Sequence, residues 1–278
     1  MLVLAALVAP AGRAQDSAVV TDGFTTLEGM PPRKVIATGL TAGILAGSLI
    51  DSYYAWWKDA NQPFTFHAEG WFKSRLGIDK AGHLFTSYFY FRTFRNLLLW
   101  GGYEPRTAYW WAAGLSAFFA VSVEVGDGIS EYAFDYQDLV FNAAGLGYGM
   151  LQADIPALQN FNLKWSYVPA EGYRFPPRFT EHYDAHTYWI VANVNNLLPS
   201  SLEPFWPDFL QVGVGYSVAD NVRRSEVVVG LDYHLEILQP ASPDLRLIIR
   251  TLDTFHYPAP AVKFSEQRAP EYRLFHLN

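Results

Sequence analysis

Four long apolar stretches crowd the first half of the chain, and each is closed by glycine, proline or a short polar run. Val35 to Ile50 carries no charge before Asp51 interrupts, and Tyr53, Tyr54, Trp56 and Trp57 follow. A second stretch runs from Lys80 to Trp100 and stops at Gly101, Gly102 and Pro105. In the third, Thr107 to Val123 is uncharged, and Gly126 and Gly128 break it. The fourth follows Asp135 and ends before Pro156. These lengths and breakers predict helices over 35–58, 80–100, 106–125 and 137–152. No stretch has the ~20 clean apolar residues of a standard membrane span. Helices of this length on short connections pack against one another, so residues 34–156 are expected to form a four-helix core bundle. Gly39, Gly43 and Gly47 share one face of the first helix, where a neighbour is expected to approach closely.

Beyond Pro156 the hydrophobic period changes. Leu210, Val212, Val214, Tyr216 and Val218 alternate with Gln211, Gly213, Gly215 and Ser217. Val227, Val229, Leu231, Tyr233, Leu235 and Ile237 alternate with Val228, Gly230, Asp232, His234 and Glu236, and Asp220–Arg224 separates the two runs. This is a hairpin pattern whose apolar positions are expected to be buried. Shorter strands are expected at Phe161–Val168 and Thr187–Val194. Ser242 reads as the cap of a helix within 244–255. The last stretch, 257–278, is expected to lie over a surface. Four strands are too few for the smallest outer-membrane barrel. The fold class is therefore mainly α (α+β), with residues 157–278 forming a small C-terminal antiparallel β-sheet packed on the bundle.

Composition narrows the function classes. Half the residues are hydrophobic and 17% are charged, which excludes a disordered chain. The net charge is -7 and no basic stripe is interleaved with aromatics, so nucleic acid is not expected as a partner. The 278 residues contain no cysteine, which removes disulfides, thiolate metal sites, iron–sulfur clusters and a cysteine-linked lipid. With 20 Phe, 17 Tyr and 9 Trp, the aromatic load suits either a large core or a lipid–water boundary. Leu2 to Val8 followed by Pro10–Gln15 reads as a signal peptide over 1–14, and 15–33 as an irregular arm. The expected location is the periplasm, in association with the outer membrane, and the expected partner is membrane lipid or an envelope component.

The polar residues of the helical half are few. Asp79 and His83 are four apart on one helix face, with Lys80 beside Asp79. Glu124 and Asp127 close the third stretch, and Asp138 and Asn142 are four apart in the fourth. Ionisable groups at the ends of such apolar helices need partners, so one end or seam of the bundle is expected to gather them. Three readings stay open. The groups are a satisfied polar cluster with helix caps. They form a metal site, with His83 giving nitrogen and Asp79, Glu124, Asp127 or Asp138 giving oxygen. They do acid–base chemistry, with His83 as base and a carboxylate orienting it. Neither H-E-x-x-H, G-x-S-x-G nor a phosphate loop is present. His67 and Glu69 are marginal additions to the set. His182, His186, His234 and His256 show no convergent spacing. Arg92 and Arg95 read as stems snorkelling at a bundle edge, with an anionic headgroup as the alternative contact.

Taken together, Gly77-Ile-Asp79-Lys80-Ala-Gly-His83-Leu-Phe85, Glu124-Val-Gly-Asp127-Gly-Ile-Ser130, Phe134-Asp135-Tyr-Gln-Asp138 and Asn142-Ala-Ala-Gly145 resemble the DUF2279 family, which includes predicted periplasmic lipoproteins of the YfiM type. The resemblance is expected to extend over roughly 33–265, with softer blocks at Phe161–Tyr167, Phe205–Tyr216 and Phe255–Pro260. The D-K-x-x-H block, the later Glu and the D-x-x-x-N-x-x-G block are also loosely similar to VanZ-like membrane proteins. The resemblance implies that the polar blocks belong together and supplies no reaction, metal or cofactor. The expected function is a structural or interaction role at a membrane of the cell envelope. The rival is a metal-dependent or His/carboxylate hydrolase acting on lipid or cell-wall material. A pocket open to lipid or periplasm with convergent carboxylates would favour the rival, and side chains more than about 8 Å apart would exclude it.

Overall fold

The computed structural model describes residues 31–67, 70–71, 74–169, 172, 182–266 and 268–277. The signal peptide expected over 1–14, most of the arm over 15–33, and Glu69 lie outside the described residues. Four long helices are present: α1 (Pro31–Ser52), α2 (Ile78–Trp100), α3 (Pro105–Gly128) and α4 (Tyr136–Asp154). The first starts earlier than expected because Pro31 and Pro32 suit the first turn of a helix, where no N–H is needed. It runs into a π-helical turn, Tyr53–Trp57. Glu104 caps α3, its side chain accepting from the Thr107 N–H, and Asp135 caps α4 by accepting from Gln137.

The central helix is α2, which packs against α1, α3 and α4. Tyr90, Phe91 and Phe94 of α2 and Ala112, Ala113, Phe119 and Val123 of α3 form the buried core. The role expected for α1 is corrected by its burial. Most of its residues are exposed, and it lies against the core through Ile44, Leu45 and Leu49. A Cβ at Gly39, Gly43 or Gly47 would meet nothing within 4 Å, so no close approach along that face is made among the described residues. Gly145 of α4 provides one instead: a Cβ there would sit 1.9 Å from the Leu84 carbonyl oxygen of α2. Gly145→Ala is therefore expected to push α4 off α2. The expected loss is about 1–3 kcal/mol, read by urea unfolding.

Two of these segments, Pro32–Trp57 and Pro105–Gly128, are long and apolar enough to cross a membrane by length and composition. The sequence expectation, based on uninterrupted apolar residues, passed over both. Nearly half of the second is buried inside the protein.

A parallel two-residue pair, β1 (Phe66–His67) and β2 (Phe134–Asp135), links the connection before α2 to the start of α4. The C-terminal half is larger and more regular than four short strands. β3 (Phe161–Tyr167), β4 (His186–Ala192), β5 (Leu210–Ala219), β6 (Arg224–Tyr233), β7 (Ala259–Ser265) and β8 (Glu271–His276) form one antiparallel sheet in sequence order. The final stretch, expected to drape a surface, instead supplies β7 and β8. A short helix α5 (Val194–Leu197) and α6 (Pro243–Leu252) lie in the connections, and Ser242 caps α6 as expected. In the β5–β6 turn Asp220, Asn221 and Val222 all have positive φ, and the Asp184 carboxylate holds it by accepting from the Asn221 and Val222 N–H groups.

Val218 is buried as expected, but over most of β5 and β6 the more buried face is the opposite one. Gln211, Gly213, Gly215 and Ser217 of β5 are buried, while Val214 is 51% exposed. In β6, Glu226, Val228 and Asp232 are buried, and Val227 and Val229 are exposed. The sheet curls around this face. Ser166 donates to the Leu277 carbonyl, and the Trp189 ring on β4 meets the His276 ring on β8 at 5.8 Å. Residues 254–256 line the β3 edge through Trp165 N–H to the Thr254 carbonyl and His256 N–H to the Trp165 carbonyl.

His276 shows what that interior does to charge. Burial, Lys263, Arg273 and His256 push its pKa down to about 4, with Glu226 opposing them. Neither ring nitrogen has a hydrogen-bond partner among the described residues. The folded state thus prefers neutral His276. Its contribution is complete above about pH 6.5 and is lost as the pH falls through that value towards 4, a total of roughly 3 kcal/mol. His276→Phe is expected to flatten the fall in melting temperature over that pH window.

Candidate functional site

The three polar blocks meet where the start of α2, the end of α3 and the start of α4 come together. Gly77, with φ 77°, turns the chain into α2 and sets Asp79 in its first turn. A carboxylate is favoured there by the unpaired N–H groups of the helix start. Lys80 faces inward and is 2% exposed. Its Nζ lies 2.8 Å from Asp135 Oδ2 and 2.5 Å from Asp138 Oδ1, which binds the start of α4 to α2. These carboxylates outweigh the cost of burial and hold the Lys80 pKa above its ordinary value.

One turn on, the two nitrogens of His83 face different partners. Nε2 faces Asp138 Oδ1 at 3.6 Å and Asp79 Oδ1 at 3.9 Å. Nδ1 faces Glu124 Oε1 at 3.5 Å and Asn142 Nδ2 at 3.3 Å. The Asn142 amide also reaches Glu124 at 3.5 Å and accepts from Ser87 at 2.9 Å. Ser116 ties the same place to α3 by donating to the Ser87 carbonyl. His83, Asp79 and Asp138 keep some exposure, with side chains 18%, 17% and 10% accessible, whereas Glu124 is 1% accessible.

Burial opposes the imidazolium, yet Asp79, Asp138 and Glu124 together raise the pKa of His83. Burial pushes Glu124 up to about 8, with Asp138 and Asp127 adding to the shift against His83. Burial also raises Asp138, helped by Asp79 and opposed by His83 and Lys80. Near neutral pH the site therefore holds protons that an isolated set of acids would have released. Excess carboxylate in a confined space calls for positive charge, and here protons supply part of it.

Asp127, expected in the same set, sits one step away. Its Oδ1 accepts from Trp57 Nε1 at 2.8 Å, and no contact with His83 is made within ion-pair distance among the described residues. Burial raises its pKa to about 6, against Trp57 and His83. The π-helical turn after α1 aims Trp57 at this position, and the indole lies so close to Gly126 that a Cβ would come within 2.2 Å of it. Of the five expected residues, then, Asp79, His83, Glu124 and Asp138 converge and Asp127 flanks them. His67 is exposed on β1, in register with Asp135.

Two phenols complete the surroundings, and sequence reading passed over both. Tyr183 donates to Asp79 Oδ1 at 3.4 Å, with the Arg75 guanidinium over its ring and 3.5 Å from the same carboxylate oxygen. Tyr188 places its hydroxyl where a Cβ at Gly82 would touch it at 3.0 Å. Burial raises the pKa of both phenols, so they remain hydrogen-bond donors. They come from the sheet half, more than a hundred positions downstream, and no local spacing signals them. Arg92 is likewise not a snorkelling stem. It pairs with Glu236 and reaches Tyr88 and Asn162, joining α2 to the sheet.

A second ionic cluster lies inside the sheet and was also missed. Lys164 is 0% exposed, 2.8 Å from Asp232 Oδ2 and 3.2 Å from Asp253 Oδ1, and it donates to the Tyr233 carbonyl. His256 Nδ1 is 3.1 Å from Asp232 Oδ1, and its ring stacks on Trp189 at 3.9 Å. The available signal was the period-two pattern, which sets Gln211 and Ser217 on one face of β5 and Glu226 and Asp232 on one face of β6, if that face is the one turned inward.

Residues 68–154 match the model of the DUF2279 family, described as a predicted periplasmic lipoprotein. The match spans all the blocks on α2–α4 and stops before the sheet, short of the 33–265 expected. No curated protein and no solved structure matches the chain.

Proposed function

We propose that the protein is a periplasmic envelope hydrolase whose centre binds a divalent cation between Asp79, His83 and Asp138. The observation that carries this reading is the division of His83. Nε2 faces two partly accessible carboxylates, while Nδ1 is turned to the buried Glu124. A metal-bound imidazole is commonly held in this way, with its second nitrogen directed to a carboxylate that fixes the ring. The ligand atoms of the three residues lie within 4.8 Å of one another. Their separations of 3.6 and 3.9 Å at Nε2 approach the roughly 3–3.5 Å between neighbouring ligands of a cation bound at about 2.0–2.2 Å. One nitrogen with two carboxylate oxygens suits zinc or manganese.

A bound cation would supply Lewis acidity and an activated water. The chain's own part is to orient and to donate. Glu124 fixes the imidazole by accepting from Nδ1–H, Asn142 donates to Glu124, Lys80 holds Asp138, and Arg75 with Tyr183 holds Asp79. The family's description as a predicted periplasmic lipoprotein supports the location. Lipid or cell-wall material is the substrate class that fits that compartment.

The second reading is a structural or interaction role at a membrane, and the short ion pairs of Lys80 favour it. Metal analysis of the purified protein, followed by titration with zinc and manganese, separates the two. The hydrolase reading expects one cation per chain and hydrolysis of chromogenic ester or phosphodiester probes that a chelator abolishes. Absence of both supports the structural role.

A further inference from the structure

Across the sheet, the outward-facing positions form an apolar row: Leu163, Ile190, Val214, Val229, Val262 and Tyr272 are register partners from β3 to β8. Over β3 and β4 this face has a partner, since Leu163, Trp165 and Tyr188 pack on Phe85 and Tyr88 of α2. At one end of β5 it is also covered, since Tyr216 donates to the Leu76 carbonyl and Val218 is buried, but the middle of the row is bare. Ile190 is 59% exposed, Val229 40% and Tyr272 81%. Between β5 and β8 the face forms a shallow groove of about 570 Å³ lined by Val212, Val229, Leu231, Val262 and Tyr272, with Arg273, paired to Glu271 of its own strand, also in the lining. The opposite, inner face holds a small apolar cluster of Trp189, Val191, Val228 and Ala261 together with buried polar and charged side chains. Lys164, Gln211, Glu226, Asp232 and Lys263 are all buried there, and Lys263 lies 2.6 Å from Glu226.

We infer that the outward face of β5–β8 seats on the acyl chains of a membrane leaflet. An antiparallel sheet with one face in water puts its apolar side chains inward and its polar ones outward. Over β5–β8 this sheet buries charged and amide side chains beside its inner apolar cluster and leaves Val214, Val227, Val229 and Tyr272 bare outside, as strands do when hydrocarbon is the outer solvent. Buried ion pairs inside and valines outside cost stability in water, and they match a surface whose exterior is lipid.

The shape separates lipid from a second copy of the chain. Because β8 curls back towards β3 around that interior, the apolar face is convex. Two convex faces would touch only along a narrow line, and a stable homodimer needs a broad, complementary patch with hydrogen bonds that fix its register. The outward residues of β5–β7 carry no charge that could fix one. Acyl chains are fluid and conform to a convex surface and a shallow groove. This inference stands apart from the His83 centre and does not depend on it.

The absence of cysteine makes a clean test. A single Val229→Cys substitution in the full chain, labelled with an environment-sensitive fluorophore, is mixed with phosphatidylethanolamine–phosphatidylglycerol vesicles. The label is expected to shift to the blue, while the same label at Glu203→Cys does not respond. Val214→Cys serves if Val229→Cys fails to fold. By flotation, Val229→Asp is expected to lose at least about tenfold of its vesicle partitioning with unchanged circular dichroism. No shift at either valine with vesicles overturns the inference. A blue shift without vesicles also overturns it. If accompanied by a doubled mass, a second copy covers the face. In a monomer, the chain's own residues cover it.

Discussion

His83→Gln is expected to lower affinity for zinc or manganese by at least about 100-fold and to abolish the associated hydrolysis. The folded protein is expected to remain. Loss of an orienting carboxylate alone typically costs 10–100-fold in metal affinity, and loss of a ligand nitrogen exceeds that. Gln keeps the approximate volume and a polar end, so the packing of α2 against α4 should survive. The control is Glu124→Gln. Its side chain touches the nitrogen of His83 that faces away from the proposed cation, and it is expected to weaken binding by about 10–100-fold. Calorimetric titration measures both, and thermal unfolding of each variant reports on the scaffold. If the cluster is structural, His83→Gln would lower the melting temperature and no cation would bind the wild type. The two outcomes move different observables.

Lys164→Met is expected to destabilise the protein by about 3–5 kcal/mol, a large part of the stability of an ordinary domain. Two carboxylates, Asp232 and Asp253, depend on this ammonium, and all three side chains are wholly buried. Removing the cation leaves both acids in a place that solvates charge poorly, with His256 beside Asp232 and the Leu235 N–H on Asp253. Met fills much of the vacated length, so the loss measures unpaired charge more than a cavity. Adding Asp253→Asn to Lys164→Met should restore part of the loss, because one of the stranded charges is removed with its partner. A double-mutant cycle by urea unfolding gives the coupling. An additive cycle would mean that Lys164 and Asp253 do not act on each other.

Local pattern carried the helical half. Pro31, Gly77, Gly101 and Pro156 punctuate the chain at or near real helix boundaries, and the 3.6-residue period placed Asp79 with His83 and Asp138 with Asn142 on shared faces. Cost alone argued that these groups should meet, since ionisable residues on apolar helices must find one another. Three things escaped. Tyr183 and Tyr188 reach the site from the sheet, and no spacing rule links residues so far apart. Asp127 satisfies its spacing with Glu124, but the indole of Trp57 takes up its oxygen. Gly39, Gly43 and Gly47 satisfy a packing motif, yet among the described residues no helix lies on the face they share.

The sheet draws the line between the two kinds of information most sharply. Alternation of apolar and polar residues along β5 and β6 determined that they are strands and which residues share a face. It did not determine which face is turned inward, because periodicity is symmetric under exchange of the two sides. Closure of the sheet around Lys164, Glu226 and Asp232 decided it, through ion pairs between residues far apart in the chain. By itself, the sequence determined the elements, their ends and the chemical character of the helical cluster. Tertiary structure alone decided what the sheet encloses, what it leaves bare and which nitrogen of His83 faces which acid. Those properties are set by distances between segments that the order of residues does not contain.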